Sequence, residues 1–169
     1  GNLGNAIRLE EGGSIGNFYG KRYAGLTDDG KWLFYKADGT TGTASEMNEN
    51  DLSIIGNGVP KYMASLSNRF KYKNFDLTVF FRGKFDFDIL NTVDLFYGNQ
   101  ELLPANVLTS ALGQYSQIKE APQYSDYYLE NGDFIKLDNL TLGYNFDLPQ
   151  EGNFKRLRLY ASARNLATI

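Results

Sequence analysis

The stretch that decides the fold is residues 127–149, which reads YYLENGDFIKLDNLTLGYNFDLP, together with residues 156–166, which reads RLRLYASARNL. Along the second run, leucines and alanines alternate with arginine, tyrosine and serine. Alternation with a period of two is typical of a β-strand whose two faces meet different surroundings. The run also has the length, roughly 9–11 residues, that a tilted strand needs to cross a lipid bilayer.

Residues 60–72 and 75–83 predict the clearest hairpin in the chain. The two residues between these runs form the turn, so Tyr72 lies opposite Phe75. One face of both strands is then apolar and aromatic, interrupted only by Asn68. This face carries Tyr62, Ala64, Leu66, Phe70, Tyr72, Phe75, Leu77, Val79 and Phe81.

The connections between the predicted strands alternate between short and long. Residues 73–74 and 147–153 are short connections, whereas residues 26–59 and 92–132 are long. Outer-membrane barrels have short turns on the periplasmic side and long loops on the outside. The pattern therefore predicts an all-β fold in which antiparallel strands form part of a large outer-membrane barrel wall, with long loops on one side and short turns on the other.

Shorter elements are predicted around these hairpins. The predictions are a first strand at residues 15–26 that is broken by Gly16, Gly20 and Gly25, a short strand at residues 32–35, a loop at residues 40–57, a strand that continues through residues 85–91 after a bend at Gly83, and one or two helical turns within residues 107–115.

The composition is typical of a β-rich protein. Aromatic residues make up 15% of the 169 residues, glycine is frequent with 18 residues, and proline is scarce with 4. A soluble β-sandwich shares this profile, so composition leaves both architectures open. No run of 18 or more apolar residues predicts a transmembrane helix.

Several kinds of chemistry are excluded or disfavoured. The chain has no cysteine and no histidine, which removes thiol nucleophiles, disulfides and imidazole acid–base catalysis. Its net charge of −3 argues against a nucleic-acid-binding protein. The acidic residues near Asp28 and Glu46 do not complete a calcium loop, and Asp86 with Asp88 is better explained as a solvated pair than as a catalytic one. We therefore predict no enzyme activity, no metal and no cofactor.

The order of several sequence blocks resembles one family of transporters. Besides residues 127–149 and 156–166, these blocks are GNFYGKRYAG at residues 16–25, IGNGVPKY through YKNFDL within residues 55–77, and DILN at residues 88–91. Together they are similar to the C-terminal β-barrel of SusC/RagA-type TonB-linked outer-membrane transporters. The similarity covers nearly the whole chain, and the joint order is more specific than any single block.

The resemblance implies an active importer of nutrients in the Gram-negative outer membrane. Oligosaccharides would be its commonest ligands and peptides the next, with a SusD-like lipoprotein closing the outer mouth and energy supplied through TonB. It also implies that residues 1–169 are part of a longer barrel protein. No export signal is found in residues 1–5, the plug domain and the last strands are expected elsewhere, and Ala167 stands where the family has an aromatic residue.

Two sets of aromatic residues are candidates for function. Those near the short turns would form a girdle at the membrane interface, or else a core ridge at the end of a sandwich: Phe70, Tyr72, Phe75, Tyr144, Phe146 and Phe154. Those in or beside the long loops would contact ligand or partner, or else pack locally: Trp32, Tyr35, Tyr97, Tyr115, Tyr124, Tyr127 and Tyr128. The basic residues of the polar strand faces would line a hydrated lumen, or else an ordinary solvated face: Arg69, Lys71, Arg82, Arg156, Arg158 and Arg164.

About five strands of a large barrel cannot close a sheet. The edge strands would then be unpaired and the lipid-facing surface exposed, so we expect the isolated chain to oligomerise. The alternative is a soluble cell-surface β-sandwich that acts as a binding module. In a sandwich the runs Phe75/Leu77/Val79 and Leu157/Leu159/Ala161 would pack against each other, whereas in a barrel wall both would point outward.

Overall fold

The computed structural model describes residues 6–149, 151 and 154–169, and within them the regular secondary structure is mainly antiparallel β-strand. The strands are β1 (Ile7–Arg8), β2 (Asn17–Gly20), β3 (Arg22–Leu26), β4 (Trp32–Tyr35), β5 (Thr41–Thr43), β6 (Ser53–Asn57), β7 (Tyr62–Tyr72), β8 (Phe75–Phe85), β9 (Asp88–Leu90), β10 (Leu129–Asn131), β11 (Phe134–Phe146) and β12 (Leu157–Thr168). The helices are α1 (Thr92–Tyr97) and α2 (Thr109–Leu112), and 3₁₀ turns lie at Ala44–Glu46, Glu49–Asp51, Gln100–Leu102 and Asp126–Tyr128.

The chain divides into two units, which are named here by their content. The loop unit comprises Gly1–Val59 and Phe87–Asn131, and the sheet unit comprises Pro60–Asp86 and Gly132–Ile169. Residues 1–5 lie outside the described residues, as do residues 150, 152 and 153 of the predicted short connection.

The sheet unit is one antiparallel sheet with the strand order β12-β11-β8-β7. Its strands are 11 to 13 residues long, and the predicted hairpin turn is confirmed, with Tyr72 paired to Phe75. Lys73 in this turn has a φ of 51°, a left-handed conformation that suits a two-residue hairpin turn. Within the described residues, β7 and β12 each pair with a single neighbour, so the sheet is open at both edges.

The regular register of this sheet is interrupted once. A register shift lies between Leu137 and Asn139 in β11, opposite both β8 and β12. In β12, Asn165 near this shift has a φ of 56°, a conformation that asparagine tolerates better than most residues. Such bulges increase the local twist of a sheet without ending it.

The loop unit contains three small sheets, ordered β1-β2-β6, β3-β4-β5 and β10-β9. Its core consists of Trp32, Phe34, Leu95, Ile118 and Tyr128. The strand predicted at residues 32–35 is confirmed as β4, and the helical turn predicted within residues 107–115 is confirmed as α2.

Two predictions about shorter elements are wrong, and a third is confirmed in part. Residues 15–26 contain two strands in different sheets, and the predicted break at Gly20 is confirmed because β2 ends there, where an added Cβ would lie 2.8 Å from the Tyr124 ring. Residues 40–57 form β5, two 3₁₀ turns and β6 rather than a loop. The strand before Gly83 does not continue to residue 91, because it ends at Phe85 before Asp86, whose φ is 59°.

Candidate functional site

The first face of the sheet unit is apolar in almost every position. Because paired residues lie on the same face, the register produces transverse rows of apolar side chains. The rows are Leu66–Phe81–Leu137–Ala167, Phe70–Leu77–Leu142–Ala161 and Tyr72–Phe75–Tyr144–Leu159, with Asn68 as the polar exception in the row between the first two. The runs around Leu77 and Leu159 therefore lie side by side on one face and do not pack against each other as in a sandwich.

This apolar face is largely uncovered. Leu66, Leu142 and Leu159 are 57%, 51% and 60% exposed, although they occupy the middle positions of long strands. Scattered apolar residues are normal on protein surfaces, but a continuous sheet face of this kind marks an interaction surface.

The residues predicted to form a girdle gather at one end of the apolar face. Phe75 and Tyr144 are in edge-to-face contact with ring centroids 4.8 Å apart, and Tyr144 makes the same contact with Phe146, also at 4.8 Å. Phe70 and Tyr72 lie on the same face and are 58% and 73% exposed. Phe154 is exposed before the start of β12 and lies outside the strand pairing. This exposure does not fit the alternative of a core ridge, and the girdle role stays a prediction.

The second face of the sheet unit is polar, with a hydrogen-bonded group at its centre. Thr141 Oγ1 and Ser162 Oγ are 2.8 Å apart, and both hydroxyls donate to Asn139 Oδ1, at 3.2 and 3.1 Å. These contacts show that Asn139, Thr141 and Ser162 share one face across β11 and β12. On the neighbouring strands, Thr78 of β8 lies opposite Thr141, and Arg69 of β7 lies opposite Thr78.

An ion pair spans three strands of the polar face. Arg158 on β12 reaches across β11 to Asp76 on β8, with an Nη2–Oδ2 distance of 2.5 Å and an Nε–Oδ1 distance of 3.0 Å. The pair lies directly over Gly143, where an added Cβ would be 2.5 Å from Arg158 Nη2 and 2.7 Å from Asp76 Oδ1. Glycine at this position is therefore a steric requirement of the pair.

The predicted lumen-lining residues are mostly placed on this face. Strand pairing positions Arg69, Lys71, Arg82, Arg158 and Arg164 there, whereas Arg156 precedes β12 and is not part of the sheet. The sequence prediction missed Lys84 and Lys136, which share the face. Counting alternate positions forward from Arg82 and forward from Phe134 would have found them.

The loop aromatics form a packed cluster. Tyr127 makes edge-to-face contacts with Tyr23, Trp32 and Tyr128 at centroid distances of 4.8, 5.1 and 5.0 Å. Burial, followed by the neighbouring Tyr115, Tyr23 and Asp94, raises the pKa of Tyr127 to about 12. Trp32 and Tyr128 belong to the core of the loop unit, and the half-buried Tyr23 and Tyr127 pack against that core.

The seven loop aromatics proposed to contact a ligand divide into five that are buried or packed against the core of the loop unit and two that are exposed. Trp32 is 0% and Tyr128 4% exposed, so their side chains are not accessible to a ligand, and the alternative of local packing fits them. Tyr124 donates its hydroxyl to the backbone oxygen of Ala6 at 3.1 Å, and burial raises its pKa to about 12. Tyr115 donates to Asp94 Oδ2 at 3.3 Å. Tyr35 and Tyr97 are exposed, and their contact with a ligand remains untested.

The chain is similar in sequence and fold to several TonB-dependent receptors and transporters. It is 29% identical to TonB-dependent receptor P3 of Formosa agariphila over 95% of its own length, and 28% identical to TonB-dependent receptor SusC of Bacteroides thetaiotaomicron over 61% of its length. It superposes on a chain of the RagAB peptide transporter with a TM-score of 0.68 and 26% identity over 90% of its length. No family model matches the chain.

The chain is similar to the SusC/RagA-type TonB-dependent receptors over most of its length. It spans 18% of the length of receptor P3, 11% of SusC and 19% of the RagAB chain. The match of an all-β segment to solved transporter chains confirms the fold class predicted from the sequence.

Three of the carboxylates considered as metal-binding or catalytic groups have hydrogen-bond or ion-pair partners within the chain. Asp29 accepts a hydrogen bond from Thr27 and pairs with Lys31, which lowers the pKa of Asp29 to about 2, with the Lys31 contact as the larger cause. Asp86 pairs with Lys61, and Asp88 accepts from the backbone nitrogen of Asn57 at 2.9 Å. The described residues gather no group of three or more acidic, histidine or cysteine side chains suited to a metal ion.

A cavity of about 720 Å³ lies within the loop unit. Its lining includes Arg8, Tyr19, Lys21, Gln123 and Tyr124. Lys21 Nζ donates to Gln123 Oε1 at 2.7 Å, and burial lowers the pKa of Lys21 despite the opposing effect of Glu120. Among the described residues, no helix has both the length and the apolar character needed to span a membrane.

Proposed function

We propose that this chain forms part of the barrel wall of an active importer in the Gram-negative outer membrane. The observation that carries the proposal is the two-faced sheet unit, in which strands of 11 to 13 residues present one apolar and one polar face. Strands of outer-membrane barrels alternate in this way, with apolar residues toward lipid and polar residues toward the lumen. Closure of the full barrel would pair the open edges of β7 and β12.

In this proposal residues 60–86 and 132–169 are wall, and residues 26–59 and 92–132 are extracellular loops. The aromatic residues from Phe70 to Phe146 then lie at the periplasmic interface, because they cluster at the end of the sheet that carries the short turn. The loop unit supports this division, since it has a core of its own and does not require the lipid-facing surface for folding.

The full receptor would import oligosaccharides as its principal ligands, with peptides as the second class. It would work with a SusD-like surface lipoprotein and draw energy from TonB. Support comes from the similarity to SusC and to a chain of the RagAB peptide transporter. The exposed Tyr35 and Tyr97 are the loop aromatics that remain available for ligand or partner.

A matched pair of substitutions tests the wall assignment in the full receptor. Leu142→Lys places a charge on the apolar face, where lysine at the bilayer midplane costs about 2–4 kcal/mol. Thr141→Lys places the same charge on the neighbouring residue of the polar face. We expect Leu142→Lys to lower the amount of heat-stable receptor in the outer-membrane fraction and Thr141→Lys to leave it near the wild-type amount. Equal effects, or a receptor found outside that fraction, would refute the proposal.

The import function has its own test. In cells that carry the full receptor as the single route for a labelled oligosaccharide, uptake is expected to stop when the receptor, TonB or the adjacent lipoprotein is deleted. Uptake that persists without TonB would contradict active import.

A further inference from the structure

The polar face of the sheet unit carries an excess of positive charge. Strand pairing places seven basic side chains and two carboxylates on it, which leaves a net charge of +5 on one face of a chain whose total charge is −3. Both carboxylates are already paired, Asp76 with Arg158 and Asp138 with Arg82. A surface with this imbalance attracts anions to the space that it faces.

Four of the other five cations have no carboxylate partner within ion-pair distance among the described residues: Arg69, Lys84, Lys136 and Arg164. The fifth, Lys71, lies directly opposite Asp76 and is attracted to it. The strand register also places Lys136 directly opposite Arg82, which pairs with Asp138. Because like charges in opposed positions repel each other, an anion on the polar side would stabilise this arrangement.

The centre of the same face is suited to a polyhydroxylated ligand. One transverse row runs Arg69–Thr78–Thr141–Ser162, and the adjacent row runs Ser67–Phe80–Asn139–Arg164. Hydroxyl and amide groups, which both donate and accept hydrogen bonds, thus lie between two arginines on the edge strands. Three strand spacings separate these arginines, about 14 Å at roughly 4.8 Å per strand.

We propose that this face binds an acidic oligosaccharide, whose rings carry carboxylate or sulfate groups, as the ligand passes through the receptor. The inference rests on the proposed import function and narrows its substrate class. Arg69 and Arg164 hold the acidic groups at the two ends of the patch, since guanidinium matches carboxylate and sulfate oxygens with two parallel hydrogen bonds. Asn139, Thr141 and Ser162 exchange their mutual hydrogen bonds for those of the sugar hydroxyls.

The test compares two double variants of the full receptor that remove the same charge. Arg69→Gln/Arg164→Gln alters the patch, and Lys155→Gln/Arg156→Gln removes two exposed cations that precede β12. The probes are an oligouronate, a neutral oligosaccharide of equal length and an oligoglutamate peptide, each titrated at low and high salt. Assembly in the outer membrane is verified for each variant before binding is measured.

We expect the wild type to bind the oligouronate at least about tenfold more tightly than the neutral oligosaccharide, with affinity that falls as salt rises. The patch variant is expected to lose about tenfold or more in affinity for the oligouronate, and the control variant to retain it. Should the patch variant fail to assemble, the salt dependence of the wild type decides, and salt-independent binding would overturn the inference.

The remaining outcomes separate this inference from the import function. Equal binding of the neutral oligosaccharide, or a patch variant with unchanged affinity, overturns the acidic class while leaving import intact. Preference for the oligoglutamate over the oligouronate overturns the assignment to a saccharide. Loss of all uptake by the wild-type receptor would instead refute the proposed function itself.

Discussion

The loop unit and the sheet unit use the same types of residue in opposite ways. In the loop unit Trp32 and Phe34 are fully buried, and Tyr127 packs on four other aromatic rings. In the sheet unit Phe70, Tyr72 and Leu159 are more than half exposed. The loop unit therefore has a buried aromatic core of its own, whereas the apolar face of the sheet unit is exposed and marks an interaction surface.

The two units also differ in charge. The loop unit has 6 basic and 14 acidic residues, a net charge of −8, and the sheet unit has 11 basic and 6 acidic residues, a net charge of +5. The total of −3 conceals this division. A ligand in contact with the sheet unit thus meets a different potential from one in contact with the loop unit.

Removal of a buried ring should have the largest effect and should be confined to the loop unit. Trp32→Ala deletes a fully buried side chain that also donates Nε1–H to the backbone oxygen of Ala121 at 3.0 Å. We expect a loss of about 3–5 kcal/mol in the opening free energy of β4, measured by hydrogen exchange of the full receptor. Leu159→Ala is the control in the sheet unit, and it should leave exchange in β4 unchanged. Equal losses from both variants would remove the distinction between the units.

A smaller effect is expected from a methyl group added to the polar face. Gly143→Ala forces the Asp76–Arg158 pair apart because the new Cβ would lie under 3 Å from both side chains. We predict a loss of about 1–3 kcal/mol in the protection of β11 and β12. In an Arg158→Ala background the same substitution should cost much less. Additive costs in this double-mutant cycle would contradict the proposed clash.

The backbone near the bulge of the sheet unit offers a finer test. Asn165 has a φ of 56°, so a β-branched residue there is strained by about 1–2 kcal/mol. Asn165→Val should therefore speed exchange at the end of β12, whereas Asn165→Gly should leave it close to wild type. If valine is tolerated as well as glycine, the left-handed conformation is not present in the receptor.

The mildest prediction concerns alkaline pH and the loop unit alone. Burial, followed by Tyr115, Tyr23 and Asp94, raises the pKa of Tyr127 to about 12, so the folded state holds the phenolic proton more tightly than an unfolded chain with a pKa near 10. Stability is then unaffected below about pH 10 and is lost as the pH rises from about 10 to 12. Tyr127→Phe, which cannot ionise, should shift this loss to higher pH. An unchanged profile would mean that Tyr127 titrates normally.

The sheet unit was predictable because its information is local. Alternation over more than ten residues and a two-residue turn together fix which side chains share a face, and the register from Tyr72–Phe75 outward follows from them. Counting back from Thr141 places Lys136 on the apolar face, because the register shift between Leu137 and Asn139 interrupts the alternation; counting forward from Phe134 avoids the shift and places Lys136 on the polar face.

The loop unit was less predictable because distant contacts decide its structure. Gly20, the last residue of β2, packs against Tyr124, about a hundred residues further along the chain, whose ring leaves no room for a side chain at Gly20. Trp32 and Tyr128 were candidates for ligand contact because their sequence neighbours are loop-like. Their burial follows from packing between segments that composition alone cannot pair.

Accessibility of spin labels on two adjacent residues of β7 tests the barrel-wall assignment most directly. Leu66 belongs to an apolar row and Ser67 to a polar row, and the segment contains no cysteine, so single cysteines at these positions can be labelled specifically within it. In the full receptor within outer membranes, we predict that a nitroxide at Leu66→Cys collides mainly with lipid-dissolved oxygen and one at Ser67→Cys mainly with a water-soluble nickel chelate. Equal access of the chelate to both labels, or a Leu66 label shielded from both reagents as in a sandwich core, would contradict the account.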